Sequence, residues 1–328
     1  MAREALVAVS YPADDEFAQI NTDVLDGSAR VAFLHGRTGD EVREVLRQAD
    51  VLVGWHLSQE LPAGALDDSP RLRFVQLLSA GADAVDYAAL PERLMLASNV
   101  GAYAQPMAEY VMAVTLALAR RLPQRHAEMA RGEFGMWKPV LTLDGAVCGI
   151  LGFGGIGKAT GRLMRAFGAR IHGVNTSGRT DEAADFIGTL ADLDRVLAAA
   201  DVLVIALPLT RATRGLIGAR ELALMKPAAI VVNVGRAAIV DERALYEHLR
   251  DHPDFCAGLD AWWHEPGPGS AFATEYPFFG LPNMIGSPHN SGVTDGALEL
   301  GARMAAENVR RFLRGENVTG VVRREEYR

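Results

Sequence analysis

The chain has little cysteine, no long apolar run and no excess of basic charge. Of its 328 residues only Cys148 and Cys256 are cysteines, and both lie in apolar stretches. That excludes a disulfide framework and points to a reducing compartment. Uncharged stretches fall well short of the roughly 18–20 residues that span a bilayer, or they carry many glycines. Residues 1–11 (MAREALVAVSY) mix charges around a short apolar run, which is not the pattern of a signal peptide. A soluble, cytoplasmic protein without a membrane partner is expected. Lys and Arg total 33 against 41 Asp and Glu, a net charge of −8. Nucleic-acid binding by phosphate neutralisation needs a clustered basic face, so no nucleic-acid partner is expected. There is no repeat with a period of roughly 20–50 residues, and no low-complexity tract. No His, Cys or Asp cluster has metal-ligand spacing along the chain, so no metal is expected.

What is present is an ordinary globular composition, 49% apolar and 23% charged. At about 150 residues per domain the length suggests two domains. Residues 6–10, 31–34, 51–54 and 74–78 read as strands, and residues 40–48 as a helix with Val42, Val45 and Leu46 on one face. This β-α-β rhythm predicts a parallel sheet covered by helices. Residues 105–121 predict a long helix, with Pro106 in its first turn and Arg120 and Arg121 at its end. Its middle is apolar nearly all round, as for a helix buried between domains or subunits. Residues 122–143 show little periodicity and read as an irregular arm. The rhythm then resumes, with strands at 146–151, 171–175, 201–207, 229–234 and 255–260 and a helix at 156–167. Their continuous β-branched runs are typical of strands covered on both faces. Residues 294–313 form a last helix, placed to return onto the first domain.

Residues 152–157 read GFGGIG, a G-x-G-x-x-G between a predicted strand and a predicted helix. The first glycine permits the tight turn and the second lets the backbone approach a pyrophosphate. The third allows close helix–strand packing, and the helix N-terminus faces the phosphates. Gly152, Gly154, Gly155, Ile156 and Gly157 are therefore dinucleotide-binding candidates. About 20 residues on, an NAD site carries an acid for the ribose hydroxyls. Here the chain has Asn175, followed by Thr176, Ser177 and Arg179. Without the acid a 2′-phosphate is not repelled, and hydroxyls and a guanidinium suit it. NADP is expected in preference to NAD, with NAD as the other candidate.

Three polar residues stand just past apolar strands: Arg236, Glu265 and His289. Ligands of open α/β sheets sit beyond the carboxyl ends of strands. An Arg can hold the oxygens of an α-keto acid, and a His can protonate the developing alkoxide as hydride arrives. A Glu bonded to the imidazolium keeps it protonated near neutral pH. Each of the three taken alone is an ordinary structural residue.

Together these stretches resemble the D-2-hydroxyacid dehydrogenases, the D-isomer-specific, NAD(P)-dependent enzymes. Residues 77–86 (LLSAGADAVD) are similar to the family's first-domain substrate loop. Asn99, Val100 and Gly101, with Ala108 and Glu109, are similar to its interdomain crossing. Residues 222–249, which carry Arg236, are the most specific match, and residues 258–266 and 287–292 match the stretches with the glutamate and the histidine. The resemblance implies an α/β fold of two Rossmann-like domains with parallel sheets and a cleft between them. The first domain would be discontinuous: residues 1–100 and 289–328 bind substrate, and residues 101–288 bind the dinucleotide. It implies that Arg236 binds substrate, His289 is the acid/base and Glu265 its partner. Backbone N–H groups at Ala80, Gly81 and Ala82 would bind the substrate carboxylate. Leu207, Pro208 and Thr213 would line the adenosine side, and Val234 and Asp260 would reach the nicotinamide.

The family's common alanine and glycine around the arginine are here exchanged, as Gly235 and Ala237. Trp262 and Trp263 replace smaller or single aromatic residues, as pocket walls or as packing between domains. Trp55, His56 and Tyr103 are lesser candidates for ligand contact, and Trp137 for reaching a partner subunit. His264 is expected to be exposed. The activity implied is reduction of a small 2-keto acid, such as glyoxylate or hydroxypyruvate, by a homodimer. The alternative is a nucleotide-sensing corepressor or scaffold on the same fold. Glu265 stands where formate dehydrogenases carry glutamine, which disfavours formate.

Overall fold

A computed structural model describes residues 3–267 and 269–328. The chain divides into two compact α/β units, Met1–Tyr103 with Thr294–Arg328, and Ala104–Val293. The second unit runs past His289, so residues 289–293 lie with it rather than with the returning tail. The physical reason is a buried carboxylate, Asp260, which accepts the backbone N–H groups of Asn290 and Ser291 at 3.0 and 3.1 Å. Among the described residues no helix is long and apolar enough to cross a membrane.

The first unit holds a five-stranded parallel sheet: β1 (Ala5–Val9), β2 (Ala29–Phe33), β3 (Val51–Gly54), β4 (Phe74–Leu77) and β5 (Met95–Ala97), in the order β2-β1-β3-β4-β5. Helices α1 (Asp15–Leu25), α2 (Gly39–Gln48) and α3 (Leu57–Glu60) connect its strands. Asp14 caps α1 by accepting the Phe17 N–H, and Thr38 and Glu41 form a reciprocal capping box on α2. The closing helix, Ala297–Leu313, presents Ala302, Ala305, Ala306 and Val309 to a core that includes Val7, Val9 and Phe74. Small side chains let it approach the sheet closely. Each large apolar side chain so buried contributes about 1.5–3 kcal/mol. Asn308 on this helix donates to the Gln76 side chain of β4 at 2.7 Å, so the tail is also tied by hydrogen bonds. Asn99 and Tyr103 donate to the Leu78 carbonyl, and Asn99 also to that of Gly301, which joins β4 to the same helix.

The second unit holds seven parallel strands: β6 (Val147–Leu151), β7 (Arg170–Val174), β8 (Phe186–Gly188), β9 (Val202–Ile205), β10 (Ile230–Asn233), β11 (Cys256–Leu259) and β12 (Met284–Gly286). Their order is β12-β11-β10-β9-β6-β7-β8. The chain runs outward from β6 through β8, then returns to the other side of β6 with β9. That reversal opens a crevice beyond the carboxyl ends of β6 and β9, where such sheets bind ligands. The helices are α4 (Ala104–Ala119), α5 (Leu122–Ala130), α6 (Gly155–Ala166), α7 (Leu193–Ala199), α8 (Ala219–Leu224) and α9 (Glu242–Asp251).

The helix α4 covers its own unit's sheet: Val111, Met112, Val114 and Leu118 pack with Ile150, Val204 and Val232. The arm after it is not wholly irregular, because α5 occupies Leu122–Ala130, entered through Arg121 in a left-handed conformation (φ 52°). Arg121 is held there by donating to the carbonyls of Pro253 and Asp254. Trp262 and Trp263 pack inside the second unit, on Phe278. Both cysteines are free and buried, and burial pushes the Cys148 thiol up to about 12.

Candidate active site

The glycine-rich turn leaves β6 and opens α6. Gly152 sits at φ 96°, and a Cβ there would come within 2.5 Å of the Ala206 carbonyl oxygen on the neighbouring strand's exit. A Cβ on Gly157 would collide with the Gly152 carbonyl. Around Gly154, the residue that caps α6, a Cβ would meet nothing within 4 Å. Two glycines are thus required by close packing and the third leaves open space at a helix N-terminus. That arrangement fits a pyrophosphate.

Beside the turn is a cavity of about 530 Å³ lined by Gly154, Lys158, Asn175, Thr176, Ser177 and Arg179, among others. Asn175 is occupied with its own loop: its Oδ1 accepts the N–H groups of Ser177 and Gly178, and its amide donates to the Arg179 carbonyl. It shapes the turn that presents Thr176, Ser177 and Arg179. Lys158, which the sequence reading did not single out, is ion-paired with Asp181 at the cavity wall. It follows the last glycine of the turn directly, and that adjacency to α6 was the available signal.

At the ends of β10, β11 and β12 three further side chains gather. The His289 Nδ1 lies 2.8 Å from the Glu265 Oε2. The other oxygen of Glu265 accepts the Trp262 backbone N–H at 2.9 Å. Burial alone would raise the Glu265 carboxyl, but these two hydrogen bonds and the nearby charges of His289 and Arg236 outweigh it, and it stays below its ordinary range. The hydrogen bond to Glu265 raises the imidazole above its ordinary value, against burial and the Arg236 charge, which both lower it. Arg236 follows β10, where the buried Asn233 holds the loop from both sides. Asn233 accepts the Gly235 N–H and donates to the Arg236 carbonyl, each at 3.0 Å. A Cβ at position 235 would come within 2.8 Å of the Leu207 carbonyl, so glycine is required there. Among the described non-glycine residues only Arg121 and His289 have positive φ, so Ala237 fits where the family commonly has glycine.

Residues 112–291 match the family model described as D-isomer specific 2-hydroxyacid dehydrogenase, NAD binding domain. The chain is 34% identical over 291 residues to a glyoxylate reductase of Thermococcus gammatolerans, covering 86% of this chain and 85% of that one. The chain belongs to the D-isomer specific 2-hydroxyacid dehydrogenase family. It is 31% identical over 303 residues to a D-3-phosphoglycerate dehydrogenase of Methanocaldococcus jannaschii, covering 91% of this chain but only 56% of that longer relative. The fold is similar (TM-score 0.79, 27% identity, 99% of this chain and 100% of the other) to that of a D-isomer specific 2-hydroxyacid dehydrogenase from Xanthobacter autotrophicus, solved with NADPH and MES.

Within this dehydrogenase the other sequence-derived candidates are distributed as follows. Ile156 and Gly155 form the first turn of α6. Thr213 closes the 208–213 turn by donating to the Pro208 carbonyl at 2.7 Å, and Val234 donates its N–H to Ile205. Leu207 lies between β9 and that turn, beside Gly235. Asp260 has both oxygens engaged by the 287–291 segment. Ala80, Gly81 and Ala82 belong to the first unit, where the hydroxyls of Ser79 and Tyr87 hold the carbonyls of Gly81 and Ala82. His264 is exposed, and Trp137 is 89% exposed on the arm.

One grouping is invisible in chain spacing. Glu242, His264 and Glu275 bring potential ligand atoms within 4.8 Å of one another. One Glu242 oxygen accepts the Glu275 N–H at 2.9 Å. The fold alone assembles this group, since its members lie on α9 and on two paired loop segments.

Proposed function

We propose that the protein is an NADPH-dependent reductase of small 2-keto acids, of the glyoxylate or hydroxypyruvate kind, yielding D-2-hydroxy acids. The observation that carries this reading is the 2.8 Å His289–Glu265 pair with the Arg236 charge beside it. Arg236 binds the keto acid by charge-assisted hydrogen bonds and orients its carbonyl. In the first unit, backbone N–H groups at Ala80, Gly81 and Ala82 take the substrate carboxylate. The reduced nicotinamide, when bound, supplies the hydride. His289 donates its proton to the carbonyl oxygen as negative charge develops there, and Glu265 stabilises the imidazolium before transfer. Asp260 and Val234 face the nicotinamide end, and the Gly152–Gly157 turn holds the pyrophosphate. The chain acts as a homodimer, a reading supported by the exposed Phe134, Met136 and Trp137 of the arm.

The preference for NADPH is supported by Asn175 in place of an acid and by Lys158 and Arg179 at the cavity wall. We expect kcat/KM to favour NADPH over NADH by at least about tenfold across a panel of 2-keto acids, with glyoxylate and hydroxypyruvate among the best. A preference for NADH overturns the cofactor assignment. No turnover on the whole panel overturns the enzymatic reading.

Replacement of Glu265 by glutamine has a signed effect. The imidazole loses the partner that raises its pKa, so the protonated form needed for reduction disappears at lower pH. The alkaline limb of kcat/KM against pH should move down by about 1–2 units. An unmoved limb in E265Q would show that this pair does not set the proton donor.

A further inference from the structure

We propose that Tyr110 and Ser287 are positioning residues for His289, acting through Asp260. The inference rests on the proposed role of His289. The Ser287 hydroxyl lies 2.6 Å from the Asp260 Oδ1. A carboxylate only accepts, so the single serine proton is directed to Asp260. The Tyr110 hydroxyl lies 2.5 Å from the same serine oxygen and must therefore be the donor of that bond. Burial raises the Tyr110 phenol, and the Asp260 charge adds to this against the Ser287 bond, so it remains protonated well above neutral pH. The direction of the chain is fixed from phenol to serine to carboxylate.

Asp260, 1% exposed, then accepts from Asn290 and Ser291 as well. Its three donors, on residues 287, 290 and 291, bracket His289. The carbonyl of Ser287 is held separately by the Trp262 indole N–H at 2.8 Å. His289 itself has φ 52°, a backbone state that a non-glycine residue keeps only when its surroundings over-determine it. Tyr110 comes from α4, whose neighbouring Val111 and Met112 are buried in the sheet core. The chain of hydrogen bonds therefore ties the loop that carries His289 to a helix packed in the core of the unit. Glu265 orients the imidazole ring, whereas Tyr110 and Ser287 locate the backbone that carries it.

The test compares Y110F, S287A, their double variant, S287T and H289A, with glyoxylate and NADPH. It reads kcat, the two KM values, the NADPH dissociation constant by nucleotide fluorescence, and Tm. Y110F and S287A should each lower kcat about tenfold, the scale of a small misplacement of a reacting group. The double variant should be no slower than S287A, because both substitutions break one chain. S287T, which keeps the hydroxyl, should return kcat to within about twofold of the parent, and NADPH affinity should stay within about twofold throughout. Wild-type kcat in both single variants with an inactive H289A overturns the inference alone. So do losses that multiply in the double variant, or a kcat loss that follows Tm and NADPH affinity and is not restored in S287T. Full activity of H289A overturns the reading of His289, and the inference with it.

Discussion

His289→Ala is expected to lower kcat for keto-acid reduction by about 10²–10⁴-fold, the range for loss of a positioned proton donor. The directly bonded Glu265 carboxylate, at 2.8 Å, raises the pKa of this imidazole, which sits past β12 at the strand ends. NADPH binding should survive, because the glycine turn and the 175–181 cavity share no side chain with the Glu265 pair. H289N is the structural control. Asparagine tolerates the left-handed backbone found at φ 52°, which costs most other residues about 1–2 kcal/mol, yet it cannot donate a proton as imidazolium does. Both variants should therefore be inactive and folded, with H289N the more stable by thermal unfolding. Turnover within tenfold of the parent in either would refute the assignment.

Arg236→Ala should lower kcat/KM by about 10²-fold, corresponding to about 3 kcal/mol for charge-assisted hydrogen bonds to an anionic substrate. Most of the loss should fall on KM for the keto acid, and a smaller part on kcat as the carbonyl loses its orientation. R236K should recover only part, because an ammonium keeps the charge without the planar fork. A second signature has a definite sign. The Arg236 charge lowers the His289 pKa, so its removal should move the alkaline limb of the reduction profile upward, opposite to the shift in E265Q. Unchanged KM in R236A, measured with saturating NADPH, would refute the substrate-clamp role.

Much of the fold is legible in the chain because its strongest signals are local. Residues 51–54 form a strand with the bounds their apolar run predicts, and the cores of β6, β9 and β10 fall inside the predicted runs. Strands buried on both faces are continuous β-branched segments, and the glycine turn announces itself by its neighbours. The strands that escape are β5, β8 and β12, each three residues long and each at a sheet edge. So short a segment shows no period, and its conformation comes from pairing with the strand beside it. The helix α5 is missed for a related reason. It has no buried residue, so no apolar stripe marks it.

By itself the sequence determined that two strand–helix repeats would form, that a dinucleotide turn would lie between β6 and α6, and that Arg236, Glu265 and His289 would each follow a strand. Only the tertiary structure decided how these parts meet. Glu265 and His289 are 24 residues apart, and Tyr110 and Ser287 are 177 apart. The carboxylate of Asp260 accepts from three groups of the segment that carries His289, which no spacing along the chain announces. Periodicity and turn chemistry act over a few residues, and they decide which conformation a segment adopts. A hydrogen bond between distant residues depends on sheet order and register, which arise only when whole strands pair and the buried polar groups between them must find partners.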